Sequence, residues 1–146
     1  MSTQDWHPPD HDRTRARSSD KANTRIDRLT RGVLDEVGES PERVRQRLAA
    51  LDREWDLDRA LLAVFPVLGS ITASNAIRSA RRKGRMGFWG ALLFTQLGFL
   101  LYHAVRGWCP PVAVLRPLGF RTWREICEER RALEKRLSGR DLPERP

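Results

Sequence analysis

MGFWGALLFTQLGFLLYHAV, residues Met86 to Val105, contains no Asp, Glu, Lys or Arg in twenty positions. As a helix rising about 1.5 Å per residue it would extend about 30 Å, the thickness of a bilayer's hydrocarbon core. Upstream, ALLAVFPVLGSITASNAI (Ala60–Ile77) is eighteen residues equally free of those four types. Between them lies RSARRKGR (Arg78–Arg85), five basic side chains in eight residues with no acid. Two charge-free runs joined by a short charged link predict an antiparallel pair of transmembrane helices, about 60–77 and 86–105. The basic link is then a water-exposed turn.

The net charge of +8 conceals this segregation. Residues 1–59 carry twelve basic and thirteen acidic groups, and residues 106–146 carry ten and six. The excess therefore lies in the link and the C-terminal region. A soluble core helix of twenty uncharged residues needs many covering elements, and the rest of the chain offers only thin amphipathic helices. The aromatics also fall where a bilayer interface would place them. Trp55 precedes the first run, Trp89 opens the second, and Tyr102 and Trp108 mark its end.

The flanking sequence divides into four parts. Residues 1–23 are polar and read as a disordered tail. Within it His7, Asp10, His11 and Asp12 cluster, but two prolines and no packed surroundings leave them unoriented as metal ligands. Residues 24–56 form an amphipathic helical arm, with Ile26, Leu29, Val33, Leu34 and Val37 at helical spacing and Gly38 as a stop. A second helix starts at Ser40-Pro41-Glu42 and carries Val44, Leu48, Leu51 and Trp55 on one face. Residues 57–121 form the two-helix transmembrane domain, ending in the Pro/Gly-rich irregular or re-entrant turn RGWCPPVAVLRPLGF. Thr122 and Glu125 form a capping box that opens a C-terminal amphipathic helix, 122–138, and residues 139–146 read as a frayed tail. The expected fold is all-α, an antiparallel transmembrane hairpin flanked by amphipathic N- and C-terminal helices.

Inside lipid, helices associate through small residues and interhelical hydrogen bonds. Gly69 and Ala73 supply such a face on the first run, and Gly87, Ala91 and Thr95 on the second. Gln96, near the middle of its helix, needs a partner for its amide: Ser70, Thr72 or a second Gln96 across a homodimer. Pro66 frees the carbonyl of Leu62 and predicts a mid-helix kink. Gln96 and His103 also allow a polar pathway, which two helices per chain enclose only in an oligomer.

The turn after the second run, Gly107-Trp108-Cys109-Pro110, carries a resemblance. GWCPPVAVLRPLGFRTWREICEERRALEKRL following an apolar hairpin resembles the YgaP-like transmembrane domain family of short bacterial membrane proteins. The resemblance covers about Leu51 to Leu137. It implies a two-helix bacterial inner-membrane domain and suggests a membrane-embedded dimer. Some relatives are fused to a sulfur-transferring rhodanese domain; this sequence carries no such segment, so sulfur transfer is not implied.

Function classes narrow accordingly. No nucleophile–base pair, phosphate loop or metal-ligand spacing is present, so no enzyme, cofactor or metal is expected. Cys109 and Cys127 make no disulfide framework. Cys109, near Arg106, is read either as a reactive thiol or as a small residue packed at a tight helix exit. The expected partners are the lipid bilayer, a second copy of the chain, and a protein of unspecified identity. The alternative is a soluble helical protein that binds nucleic acid through Arg78–Arg85, but no stacking platform separate from the apolar run accompanies those charges. The N-terminus lacks a secretory signal. Translocating a 59-residue charged arm is the harder event, which places both termini in the cytoplasm and the protein in the bacterial inner membrane as a multi-pass protein.

Overall fold

The computed structural model describes residues 6–141. Among them seven helices follow one another with no strand: α1 (Arg13–Ala16), α2 (Asp20–Val37), α3 (Pro41–Leu51), α4 (Leu57–Lys83), α5 (Gly87–Arg106), α6 (Pro110–Leu115) and α7 (Trp123–Asp141). The two charge-free runs lie in α4 and α5, the longest of the seven, which pack on each other as a close hairpin. The helical arms expected on either side of it are α2, α3 and α7.

Six of the eight residues of the basic block, Arg78 to Lys83, are helical, which corrects its assignment as an eight-residue turn. α4 runs on through Arg78, Arg81, Arg82 and Lys83 before stopping at Gly84, in the left-handed conformation at φ 68°. Lys and Arg are good helix formers and are favoured in a last turn, where they oppose the negative end of the helix dipole. Only Gly84–Met86 separate the two helices. Pro66 lies inside α4, which is one helix from Leu57 to Lys83.

The expected irregular turn after α5 contains a further helix. Pro110 and Pro111 occupy the first positions of α6, where a missing N–H costs nothing. α7 opens with the expected reciprocal box: Glu125 accepts from the Thr122 N–H at 2.9 Å, and the Glu125 N–H donates to the Thr122 hydroxyl at 3.2 Å. α7 reaches Asp141, beyond the expected end at 138; residues 142–146 of the expected frayed tail lie outside the described residues.

The polar residues 6–23, expected to be a disordered tail, run a defined course; residues 1–5 lie outside the described residues. Trp6 is buried with Leu34, Val37, Val44, Leu51, Ile126, Ala132 and Leu133, the core that joins α2, α3 and α7. Asp12 caps α1, accepting from the N–H groups of Thr14 and Arg15, both at 2.9 Å. Ser19 caps α2, whose buried face is Ala22, Ile26, Thr30, Leu34 and Val37. Leu29, expected on that face, is exposed. The α2–α3–α7 base therefore packs the N-terminal helices and the last helix together, on the side of the hairpin where α4 begins and α5 ends.

Candidate membrane-embedded hairpin and its two ends

The apolar surface of the hairpin is bare. Of an 18-residue apolar stretch in each helix, 28 % of α4 and 6 % of α5 is buried within the protein. Both helices are long and apolar enough to cross a membrane. The contact between them runs along Thr72 and Ala76 of α4 and Gly90 of α5, all buried. A Cβ on Gly90 would lie 2.6 Å from that of Met86, so only glycine fits there without a shift.

The packing residues expected from sequence divide between this seam and the outer surface. Gly69 and Ala73 are half-buried beside the seam, whereas Gly87, Ala91 and Thr95 face outward. The Thr95 hydroxyl donates to its own helix at the carbonyl of Ala91, 2.9 Å. Gln96 finds Thr72 as its cross-helix partner: the Thr72 hydroxyl lies 2.9 Å from Oε1 of Gln96, and 3.0 Å from each of the carbonyls of Leu68 and Gly69. The expected anchors separate likewise. Trp55, Trp89 and Tyr102 are exposed, with the Arg59 guanidinium 5.0 Å from the Trp55 ring centre. Trp108 instead packs against Leu57, Leu61, Cys109 and Val112, where α6 lies on the foot of α4.

Gly107 ends α5 in the left-handed conformation, φ 70°, and Pro110 begins α6. Between them Cys109 is fully buried. Burial pushes its thiol above the ordinary value and Asp58 adds to this, against a bond from the Val112 N–H that lowers it. A buried thiol held protonated is a poor nucleophile, so the turn reads as packing.

The foot of the hairpin is held by Thr14, Arg17 and Asp58, which the sequence did not single out, and by His103, which it did. The last carbonyls of a helix have no partner within it. Here the Arg17 guanidinium donates to the carbonyl of Arg106 at 2.6 Å, and the Thr14 hydroxyl to that of Gly107 at 2.6 Å. His103 of α5 meets Asp58 of α4 at 3.0 Å.

Two buried carboxylates organise the base. Glu125 accepts from Arg116 through both terminal nitrogens at 2.6 and 2.8 Å and from Arg15 at 2.8 Å, besides the Thr122 N–H. Those four donors fill the sites a carboxylate offers. Burial pushes the Glu125 carboxyl upward, but the Arg116 bonds and charge, with Thr122 and Arg15, outweigh it and hold the group below its ordinary value. Glu129 accepts from Arg47 at 2.7 Å and from Arg121, which also pairs with Glu54 at 2.7 Å. Arg15 further pairs with Asp27 at 2.6 Å. Asp12, expected as one of a loose acidic and histidine cluster, also accepts from the Thr122 hydroxyl. The signal for these pairs in sequence was only a surplus of Arg and Glu; Arg47–Glu129 and Arg15–Glu125 lie 82 and 110 residues apart along the chain.

At the opposite end the five cations Arg78, Arg81, Arg82, Lys83 and Arg85 form no ion pair among the described residues. Phe88 and Trp89 lie beside them, their rings edge to face at 5.7 Å. Among the described residues no group of three or more His, Cys, Asp or Glu is arranged to hold a metal ion. No family model, curated protein or solved structure matches the chain.

Proposed function

We propose that this chain is an integral membrane protein that anchors a small ion-paired helical base at one face of a bilayer, as a scaffold or partner subunit without catalysis. The bare apolar surface of α4 and α5 carries the proposal. A soluble protein's core helix satisfies the same length and composition, but it is covered; here most of α5 is exposed and Gly90 is its one buried residue. Leu62, Val67, Phe88, Phe94 and Leu101 are among the exposed side chains. Soluble monomers rarely leave large apolar side chains exposed in one contiguous patch of this kind.

The finer placement is a bacterial inner membrane with both termini cytoplasmic. Both termini share one side because α2, α3 and α7 pack together, and this charged base is the harder part to translocate. Self-association through the outward small-residue face of Ala91 and Thr95 fits the bare surface of α5. The amide nitrogen of Gln96, which has no partner among the described residues, would find one across such a dimer. Membership of the YgaP-like family is part of this proposal and is carried by Gly107–Pro110 after the hairpin.

Membrane fractionation tests the proposal. The expected result is a protein that stays in the pellet through alkaline carbonate and is released by detergent. Recovery in the carbonate supernatant would falsify it.

A further inference from the structure

We infer that the closed end of the hairpin is a binding site for a membrane lipid whose headgroup carries two phosphates. The inference rests on the membrane reading above and adds a ligand to it. A cleft of about 340 Å³ opens between the last turns of α4 and the start of α5. Arg78, Arg82 and Lys83 line it from α4, Arg85 from the link and Trp89 from α5.

Four cations therefore face one cleft, and none has an acidic partner among the described residues. Arg78 and Arg82 are four residues apart on one helix, a like-charge spacing that destabilises the helix by itself. The arginines that the base buries wholly or in part, Arg15, Arg47, Arg116 and Arg121, are by contrast paired with carboxylates. An external anion is thus the partner that the cleft lacks. One phosphodiester would leave three of the four charges uncompensated, and two phosphates balance them better.

Several features select a lipid over a soluble phosphate. The cleft lies directly beyond the uncharged stretches of both helices, at the depth where headgroups lie. Its rim carries Trp89 beside Phe88, which is 72 % exposed, an aromatic pair suited to the interface. α5 begins there with no side-chain cap, leaving its first N–H groups open toward an anion. The Ser79 hydroxyl donates to the carbonyl of Arg85 at 3.1 Å and ties the link to α4, which fixes the cleft's open side.

The test uses the full chain reconstituted into phosphatidylcholine nanodiscs that contain either cardiolipin or phosphatidylglycerol at matched total charge. Lipid retained on the protein is read by native mass spectrometry. Cardiolipin is expected to be retained about tenfold better, and Arg82→Gln to remove about that factor, as loss of a charge-assisted contact predicts. Arg81→Gln removes the same charge one residue away but does not line the cleft, and is expected to change retention less than about twofold. Equal retention of the two lipids, or equal loss in the two variants, overturns the site while leaving the membrane anchor standing. Displacement of cardiolipin by inorganic diphosphate or by a single-stranded oligonucleotide at comparable concentration overturns the lipid assignment. A chain that does not enter nanodiscs at all overturns both the anchor and the site.

Discussion

Glu125 shows how much one side chain can do that its local motif does not announce. As the last residue of a capping box, at the third position of the helix, it caps α7, and that role follows from the Thr-x-x-Glu spacing. As the buried partner of Arg116 and Arg15 it joins α7 to the segment after α6 and to the N-terminal segment. Glu125→Gln removes the charge opposite Arg116, which is itself 1 % exposed. Leaving a buried guanidinium uncompensated is expected to cost about 3 kcal/mol, read as a lowered unfolding midpoint of the detergent-solubilised protein. Acid should act on the same group. A carboxyl held below its ordinary value contributes stability that is complete at neutral pH and is lost as pH falls through its folded value. Wild-type stability should therefore fall below the usual Glu range, about pH 4.3. The Gln variant should show a smaller acid loss, and equal acid sensitivity in both proteins would remove Glu125 from the explanation.

At the scale of elements, the N-terminal segment and the basic block both depart from their sequence reading, for related reasons. Residues 6–19 offer almost no apolar periodicity, so a hydrophobicity argument finds nothing to fold. They are placed by polar partners instead: Asp12 to Thr122, Thr14 to Gly107, Arg15 to Glu125 and Asp27, Arg17 to Arg106. Asp12→Ala deletes a helix cap and a buried acceptor together, for which about 1–2 kcal/mol is expected. Trypsin should then cut at Arg13, Arg15 or Arg17 faster than in wild type, with α4 and α5 still resistant in the bilayer. An unchanged cleavage rate would show that Trp6 alone holds the segment. In the basic block the misreading was of length. α4 does not stop where charge begins; it ends only where Gly84 permits a left-handed turn.

For the whole molecule, the base and the hairpin meet where Leu57, Leu61, Cys109 and Val112 pack together. The backbone continues this junction, the Leu57 N–H donating to the Arg121 carbonyl at 2.8 Å. Cys109 therefore reports on docking, because its thiol is reached only when α6 lifts from the foot of α4. Cys127, partly exposed on α7, is the internal comparison. Maleimide labelling of the native protein at neutral pH is expected to modify Cys127 first. Cys109→Ser should leave the early labelling unchanged, and Cys127→Ser should abolish most of it. Fast labelling of Cys109 would instead indicate a junction that opens readily and revive the reactive-thiol reading of the turn.

The central pair of helices was legible in the sequence because an absence of charge over eighteen and twenty residues is a local property, countable without knowing what lies nearby. The starts of α3 and α7 were legible for the same reason: Ser40-Pro41 and Thr122–Glu125 act within one turn. The partner of Gln96 was narrowed but not chosen, since Ser70 and Thr72 differ only in which way α4 is rotated against α5. Rotation likewise turned Ala91 and Thr95 outward and put Gly90 in the seam. The Arg47–Glu129 and Arg15–Glu125 pairs and the ordering of residues 6–19 lay beyond the sequence, because each needs residues far apart in the chain to meet in a dry place. Arg116 and Arg121 stand only nine and eight residues before Glu125 and Glu129, but outside α7, so helical spacing does not announce those pairs. Periodicity and composition determined which segments are apolar helices. Tertiary packing alone decided which charges are neutralised at the base and which remain unpaired at the closed end.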